Sequence, residues 1–466
     1  MTGLVDAIAA EIGRDRLVSP DDVLGRALDP IGRQAPATWL IRPRSTQEVS
    51  AVLRLCHAAG QRLTVMGGAT GLAGGLALAE DEWLLSLEAM RGIDIDAGNR
   101  VATMGAGAIL QDVQDRVAEA GLSFPLDLGS RGSATIGGLI ACNAGGEKAL
   151  RFGMMREQVL GLEVVLPDGR VIDLMNSMVK NNTGYDLKQL FIGAEGTLGV
   201  VTRAVLRLRP HLPSRQTGFA ALSQFDAVLK LKSAVEEALG NDLTAFEIMW
   251  PGFFDAVASA AGGALPVERG SAYYVIFEAE GGRAMTDDMF IEALEPVVEA
   301  GLVDDLVLAR SNAERDGMWS LRNNIAALIA AYMPPIGYDV SIPLGKMEQF
   351  VAAVEAGVAQ RWPDMRMTAF GHMGDNNLHL VVTLGAADAA DKEALNHLIY
   401  GEVGKLGGSI SAEHGLGSEK RDYLGYSRSP EAIALMREVR TLFDPRGILQ
   451  QGRLLPDAEP RSPQDQ

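Results

Sequence analysis

The chain has 466 residues, 47% of them hydrophobic, which is enough to bury the cores of two or three domains. Against 42 Lys and Arg stand 60 acids, and the net charge of −18 argues against nucleic acid or an anionic membrane as the main partner. It leaves room for a local basic pocket that takes an anionic substrate, and two cysteines, Cys56 and Cys142, imply no disulfide framework.

The N-terminus carries acids early and no basic lead before an apolar block, so it does not read as a signal peptide. The most apolar run, Ile325 to Met333, is too short to cross a bilayer, and a cytoplasmic protein is the expectation. Residues 1–35 read as a helical lead-in (Leu4, Val5, Ile8, Ile12) and a loop. Ile41-Arg42-Pro43-Arg44 is extended, and Ser45 with Glu48 forms a capping box for a helix that ends at Gly60. Leu63 to Met66 is a short strand running into Gly67-Gly68-Ala69-Thr70-Gly71-Leu72-Ala73-Gly74-Gly75. Such a loop permits positive φ and close backbone approach, and successive amides can cup a phosphate. It is neither a Walker sequence nor the Rossmann spacing, and Gly105-Ala106-Gly107 has Leu110 at the third glycine position, so NAD is rejected.

Further small-residue stretches follow at 129–138, 141–146, 181–187 and 193–199. Several glycine-rich loops beside predicted strands suit a dinucleotide with a bulky ring system; tight packing turns remain the alternative for individual glycines. Arg209-Pro210-His211-Leu212-Pro213-Ser214 is a proline-marked linker. Ser223 is expected to cap an amphipathic helix that stops at Gly240, and strands at Tyr273 to Glu278 and Asp339 to Ile342 alternate with helices around 284–300 and 346–361. Residues 456–466, rich in proline and charge, are expected to be disordered.

The stretch Gly371-His372-Met373-Gly374-Asp375-Asn376-Asn377-Leu378-His379 brackets turn formers with two imidazoles. Glu413 follows in a short polar segment between glycines. Two His and one carboxylate leave a coordination position open on a zinc-like ion. Ordinary strand and loop histidines are the alternative.

The stretches 66–75, 129–146 and 181–201 resemble the flavin-binding domain of the vanillyl-alcohol oxidase type. Residues 371–380, 411–417 and 443–449 resemble the C-terminal domain of FAD-linked D-2-hydroxyacid dehydrogenases, and Asn182-Thr183-Gly184-Tyr185-Asp186-Leu187 is similar to the D-lactate and D-2-hydroxyglutarate branch. The resemblance spans roughly 35–455. It implies an α+β architecture: a two-part FAD-binding domain (36–212), then a substrate domain (213–455) with an antiparallel sheet flanked by helices. The candidate cofactor residues are Gly67, Gly68, Ala69, Thr70, Gly71, Gly74 and Gly75; Gly132, Ser133, Ile136, Gly137, Gly138, Asn143, Gly145 and Gly146; and Glu195, Gly196, Gly199 and Val200. No His lies in the loop 66–75, so FAD is expected to be noncovalent.

The resemblance further implies that His372, His379 and Glu413 bind a divalent metal, zinc foremost, that His414 is the general base and that Arg322 clamps the substrate carboxylate. The expected reaction is oxidation of a D-2-hydroxy acid, with a flavoprotein, quinone or cytochrome as electron acceptor. Dehydrogenase is favoured over oxidase by resemblance only, and the oligomeric state is open, a homodimer included. Where dicarboxylate enzymes of the family carry Thr, Lys and Asn, this chain has Ala326, Gly337 and Val381. That favours a small or apolar substrate such as D-lactate, with D-2-hydroxyglutarate as the alternative. A flavin-carrying electron-relay subunit without its own substrate is the reading from another class.

Overall fold

The structure, a computed structural model, describes residues 2–282 and 287–456. The chain divides into two compact units, Met1–Gly146 with Gly153–His211 and Glu413–Gln466, and Glu147–Phe152 with Leu212–Ala412.

Among the described residues the first unit holds a four-stranded sheet, a five-stranded sheet and a small pair of Leu122–Ser123 with Arg209–Pro210. In the four-stranded one, Leu40–Ile41 and Arg62–Met66 both run parallel to the central Glu82–Ser86, and Leu17–Val18 closes one edge antiparallel. Parallel strands need a crossover, and the helix Thr46–Ala59 carries the chain from Leu40–Ile41 across to Arg62–Met66 on the other side of Glu82–Ser86. Ser45 Oγ accepts the Glu48 amide at 3.2 Å, but the Glu48 carboxylate accepts from the Arg44 amide at 2.7 Å, so the expected box closes one residue upstream. Gly60, at φ 69°, ends the helix in the left-handed conformation that glycine tolerates. The helix buries Val49, Val52, Leu53 and Cys56 against Ile41, Leu63 and Leu85. The second sheet is antiparallel, in the order Ile93–Asp96, Val101–Gly105, Val200–Arg207, Val159–Val165, Val171–Leu174. Helices Leu110–Glu119 and Ile136–Cys142 contribute to its core.

From Glu413 onward the chain packs with the first unit, within the span to 455 that the resemblance implies for the C-terminal domain. The physical reason is apolar and local: Ile448 and Leu449 are buried in the core of the first sheet, and Leu63 and Leu449 form a parallel bridge. The disorder expected for the tail concerns residues that, from 457 on, lie outside the described ones.

The second unit is built on a seven-stranded antiparallel sheet, as expected. Its order is Asp305–Leu308, Ser214–Leu222, Tyr273–Gly281, Leu243–Met249, Arg366–Gly371, Asn377–Thr383, Ile336–Ser341. The helix Phe225–Leu239 forms and ends at Gly240, yet Ser223 does not cap it. Gln224 holds the cap position, and Ser223 Oγ bonds Asp304 Oδ2 at 2.6 Å instead. The helix expected at 284–300 runs Asp287–Glu299, its first expected turn lying outside the described residues. Helix Met347–Arg361 matches its expected span to one residue.

Candidate active site

In the first unit, the strand Arg62–Met66 delivers the loop Gly67–Gly75 against the segment Ser133–Gly138. A Cβ on Gly68 would stand 2.0 Å from the Ser133 carbonyl oxygen, and one on Gly67 2.8 Å from Thr135 Oγ1. No side chain fits there, so the two glycine-rich stretches touch backbone to backbone. Ala69 (φ 54°) and Gly74 (φ 77°) turn the loop through the left-handed region. Thr135 Oγ1 is buried beside Gly67 and Gly138 without a hydrogen-bond partner among the described residues, which leaves a hydroxyl for a bound polar group. A Cβ on Gly71, Gly75 or Gly132 would meet open space. This backbone cradle with its orphaned hydroxyl suits a phosphate-bearing ligand laid across amides.

The other expected cofactor positions divide. Gly137, Gly146 and Gly199 are packing glycines, where a Cβ would stand 2.7 Å from Ala106 Cβ, 1.9 Å from the Asp127 carbonyl and 2.8 Å from Val164. Ile136 and Val200 have their side chains buried in the apolar cores. Asn143 Oδ1 accepts the Arg156 amide at 2.8 Å. Thr70 is half-buried, Gly196 adopts φ 74°, and Ser133 offers its carbonyl toward Gly68. Glu195, at φ 50°, directs its carboxylate to the amides of Leu416 (2.7 Å) and Gly417 (2.8 Å). Burial pushes this carboxyl above its ordinary range, against the pull of those amides and of Lys420.

The segment after Glu413 is thereby fastened to the cofactor loops of its own unit. A Cβ on Gly417 would stand 1.9 Å from the Ala73 carbonyl oxygen, and Glu413 Oε2 lies 3.8 Å from the Cβ position of Gly145. His414 Nε2 is 3.6 Å from Glu413 Oε1.

In the second unit, four neighbouring strands present a compact polar group. Gly371 opposes Ile248, and His379 opposes Phe370 on one side and Asp339 on the other. The chain reverses between the two histidines through the short turn Met373–Asp375 and Asn376 at φ 68°, as the turn formers predicted. The imidazole rings stand 5.5 Å apart, near perpendicular. His372 Nδ1 is 2.8 Å from Glu247 Oε1, and Arg322, at the end of the helix Asn312–Arg322, donates from Nε (3.0 Å) and Nη2 (2.7 Å) to Glu247 Oε2. The Arg322 guanidinium lies 4.9 Å from the Phe370 ring centre, a cation–π distance. Burial would push the Glu247 carboxyl up, but the charges of His372 and Arg322 and their hydrogen bonds outweigh it and hold it below its ordinary range. Asp339 Oδ1 is 3.8 Å from His379 Nδ1, and its Oδ2 accepts from the Ala412 amide at 3.2 Å. Glu413 is the next residue in the chain.

Sequence reasoning therefore found both histidines and Arg322, which the fold brings together. It missed Glu247 and Asp339 as members of the group. Both are single acids inside apolar strands, in Phe246-Glu247-Ile248 and Tyr338-Asp339-Val340, and a charge at a core-facing strand position was the available signal.

With this geometry in hand, likeness to known proteins becomes interpretable. Residues 37–175 match the family model of the FAD binding domain, and residues 212–454 match that of the FAD linked oxidases, C-terminal domain. In fold the chain is similar to alkyldihydroxyacetonephosphate synthase (TM-score 0.73, 17% identity, 98% of this chain and 86% of that one). It is also similar to p-cresol methylhydroxylase (TM-score 0.74, 15% identity, 98% and 97%). These define the class, an FAD-dependent oxidoreductase of the FAD-linked oxidase fold. The chain is 40% identical to a mitochondrial D-2-hydroxyglutarate dehydrogenase of Bos taurus over 90% of its length and 76% of the relative's. It is 36% identical to the D-2-hydroxyglutarate dehydrogenase of Stutzerimonas stutzeri (94% and 97%) and 36% identical to a Schizosaccharomyces pombe mitochondrial protein named for D-lactate dehydrogenase (94% and 85%). The chain belongs to the FAD-linked D-2-hydroxyacid dehydrogenases. No helix among the described residues is long and apolar enough to cross a membrane.

Proposed function

We propose that the chain oxidises a D-2-hydroxy acid to the 2-oxo acid at a site that needs a divalent ion beside FAD. The observation that carries this is the buried group His372–Glu247–Arg322 with His379 next to it, a donor set for a cation beside a guanidinium for a carboxylate. The family resemblance assigns the ion to His372, His379 and Glu413, nitrogen and oxygen donors that suit zinc. Bound FAD supplies the acceptor for the C2 hydride, and the bound ion supplies the positive charge that acidifies the substrate hydroxyl. Arg322 pairs with the C1 carboxylate through its Nη1 edge, which carries no hydrogen bond among the described residues. His414 takes the hydroxyl proton, an imidazole being suited to that transfer near neutral pH. Anaerobic bleaching of the flavin absorbance by D- but not L-2-hydroxy acids, abolished by a chelator and restored by Zn²⁺, is the expected result. Bleaching that ignores the chelator removes the ion from the mechanism. Metal analysis separates this reading from a substrate-free electron-relay subunit: the wild type should carry a divalent ion that His379→Ala loses, and a metal-free wild type favours the relay.

Two substrates are compatible with this site. The names of the relatives favour D-2-hydroxyglutarate. The local chemistry favours a smaller acid such as D-lactate. Gly337 and Val381 oppose one another in the sheet, and strand alternation puts them on the same face as Asp339 and His379. A Cβ at Gly337 would meet open space, and Val381 is buried among apolar side chains; neither offers a partner to a second carboxylate. Ala326, the third position, is an exposed methyl group on the helix Ile325–Ala331. Wild-type kcat/KM should then favour D-lactate. Gly337→Lys should raise kcat/KM for D-2-hydroxyglutarate relative to D-lactate by about tenfold, the worth of one modest charge pair. A wild type that already prefers D-2-hydroxyglutarate rejects the small-substrate reading and keeps the reaction.

A further inference from the structure

Glu247 touches His372 and Arg322 at once, and that geometry gives it a role of its own. Its side chain is 1% exposed in the strand Leu243–Met249, inside the seven-stranded sheet. An ionised carboxylate only accepts hydrogen bonds, so the proton in the 2.8 Å contact with His372 sits on Nδ1 of the ring. When the ring is neutral, the form that ligates a cation, that leaves the lone pair on Nε2. The opposite oxygen, Oε2, takes both Nε and Nη2 of Arg322, at 3.0 and 2.7 Å, so the guanidinium cannot rotate without breaking two charged hydrogen bonds. One buried carboxylate thus fixes two side chains that come from different elements, a helix end and a hairpin turn.

We propose that Glu247 is the positioning residue of the active site. Through Oε1 it sets the His372 tautomer whose Nε2 can ligate a divalent cation, and through Oε2 it aims the remaining guanidinium edge at the substrate carboxylate. The proposal rests on the functional reading above and adds to it that cation affinity and carboxylate recognition share one anchor.

The Glu247→Gln variant separates these roles without changing the size of the side chain. Arginine can only donate, so the amide oxygen must face Arg322 and the amide NH₂ must face His372. Nδ1 then becomes an acceptor, and the ring proton moves to Nε2, the ligating end. Histidine ¹⁵N NMR on metal-free, FAD-loaded protein reads this directly, with His372→Ala assigning the signal. The expected result is Nδ1–H in the wild type and Nε2–H in Glu247→Gln. Zn²⁺ affinity, measured by competition with a chromogenic chelator, should fall about 10- to 100-fold, the usual cost of losing a partner that orients a ligand histidine. Flavin absorbance and thermal unfolding confirm that the variant is folded. Should it not fold, the wild-type tautomer still decides, because a neutral His372 ring with its proton on Nε2 and none on Nδ1 in the metal-free wild type overturns the proposal. A folded Glu247→Gln with wild-type tautomer and Zn²⁺ affinity overturns it too, while leaving the activity of the wild type intact. A wild type that binds no Zn²⁺ overturns both the metal-assisted reading and the role built on it.

Discussion

Replacing Arg322 by methionine should lower kcat/KM for the D-2-hydroxy acid by about 10²- to 10³-fold, the loss expected when a charged hydrogen-bond partner of a carboxylate is removed from a desolvated site. Arg322 is 4% exposed and packs over Phe370, so its charge acts in a poorly screened setting. Most of the loss should fall on KM, because the carboxylate is bound alike in the ground and transition states. Arg322→Lys keeps the charge but not the planar fork, and it should recover only part of the loss. The substitution has a second consequence in the fold. Methionine leaves the buried Glu247 carboxylate with His372 as its remaining partner, and breaking a buried pair in this way costs about 3–5 kcal/mol. Urea unfolding of the FAD-loaded protein therefore belongs beside the kinetics. Unchanged KM with lowered stability would mean that Arg322 is a structural partner of Glu247 and not a substrate ligand.

What the sequence made legible was whatever is encoded within a few residues. The strand Arg62–Met66 and its glycine loop are adjacent in the chain, the cap and stop of the helix Thr46–Ala59 are both local, and the turn between His372 and His379 is written in its own residues. Contacts that close over long distances left weaker marks. Glu247 meets Arg322 across 75 positions and His372 across 125, and no local pattern joins them. Nor does periodicity distinguish a glycine that cups a ligand from one that admits a carbonyl. Gly71 faces open space and Gly146 faces the Asp127 backbone, yet both looked alike as members of a glycine-rich run. Glu195 shows the same limit. It stands in a cofactor-loop sequence, but its carboxylate fastens the segment beyond Glu413, a role that appears only once Leu416 and Gly417 are seen beside it.

The C-terminal stretch, which packs with the first unit, yields the other large prediction. Arg453 is 2% exposed and forms a two-pronged pair with the fully buried Glu82, Nη1 to Oε1 at 2.6 Å and Nη2 to Oε2 at 2.8 Å. Glu82 lies on the central strand of the four-stranded sheet, and its Oε2 also accepts from Thr64 Oγ1 at 3.1 Å on the strand that leads into Gly67. Close by, Gln450 bridges the Val65 amide and the Glu195 carbonyl, each at 3.1 Å. Arg453→Met should therefore do more than loosen a chain end. It strands a carboxylate in the core of the sheet that carries the first glycine loop, at a cost of about 3–5 kcal/mol. Adding Glu82→Met removes the stranded charge and should return most of that loss, since two apolar groups in place of a buried pair are often close to neutral. Paired unfolding curves for the single and double variants, followed by the FAD fluorescence released on unfolding, measure the coupling directly. The single variant should also release FAD at lower denaturant than the wild type, because the strand holding Thr64 opens into the cradle. A double variant no more stable than the single one would mean that the pair's worth lies in the other bonds of Arg453, to the carbonyls of Ala77 and Gln451, and not in its charge.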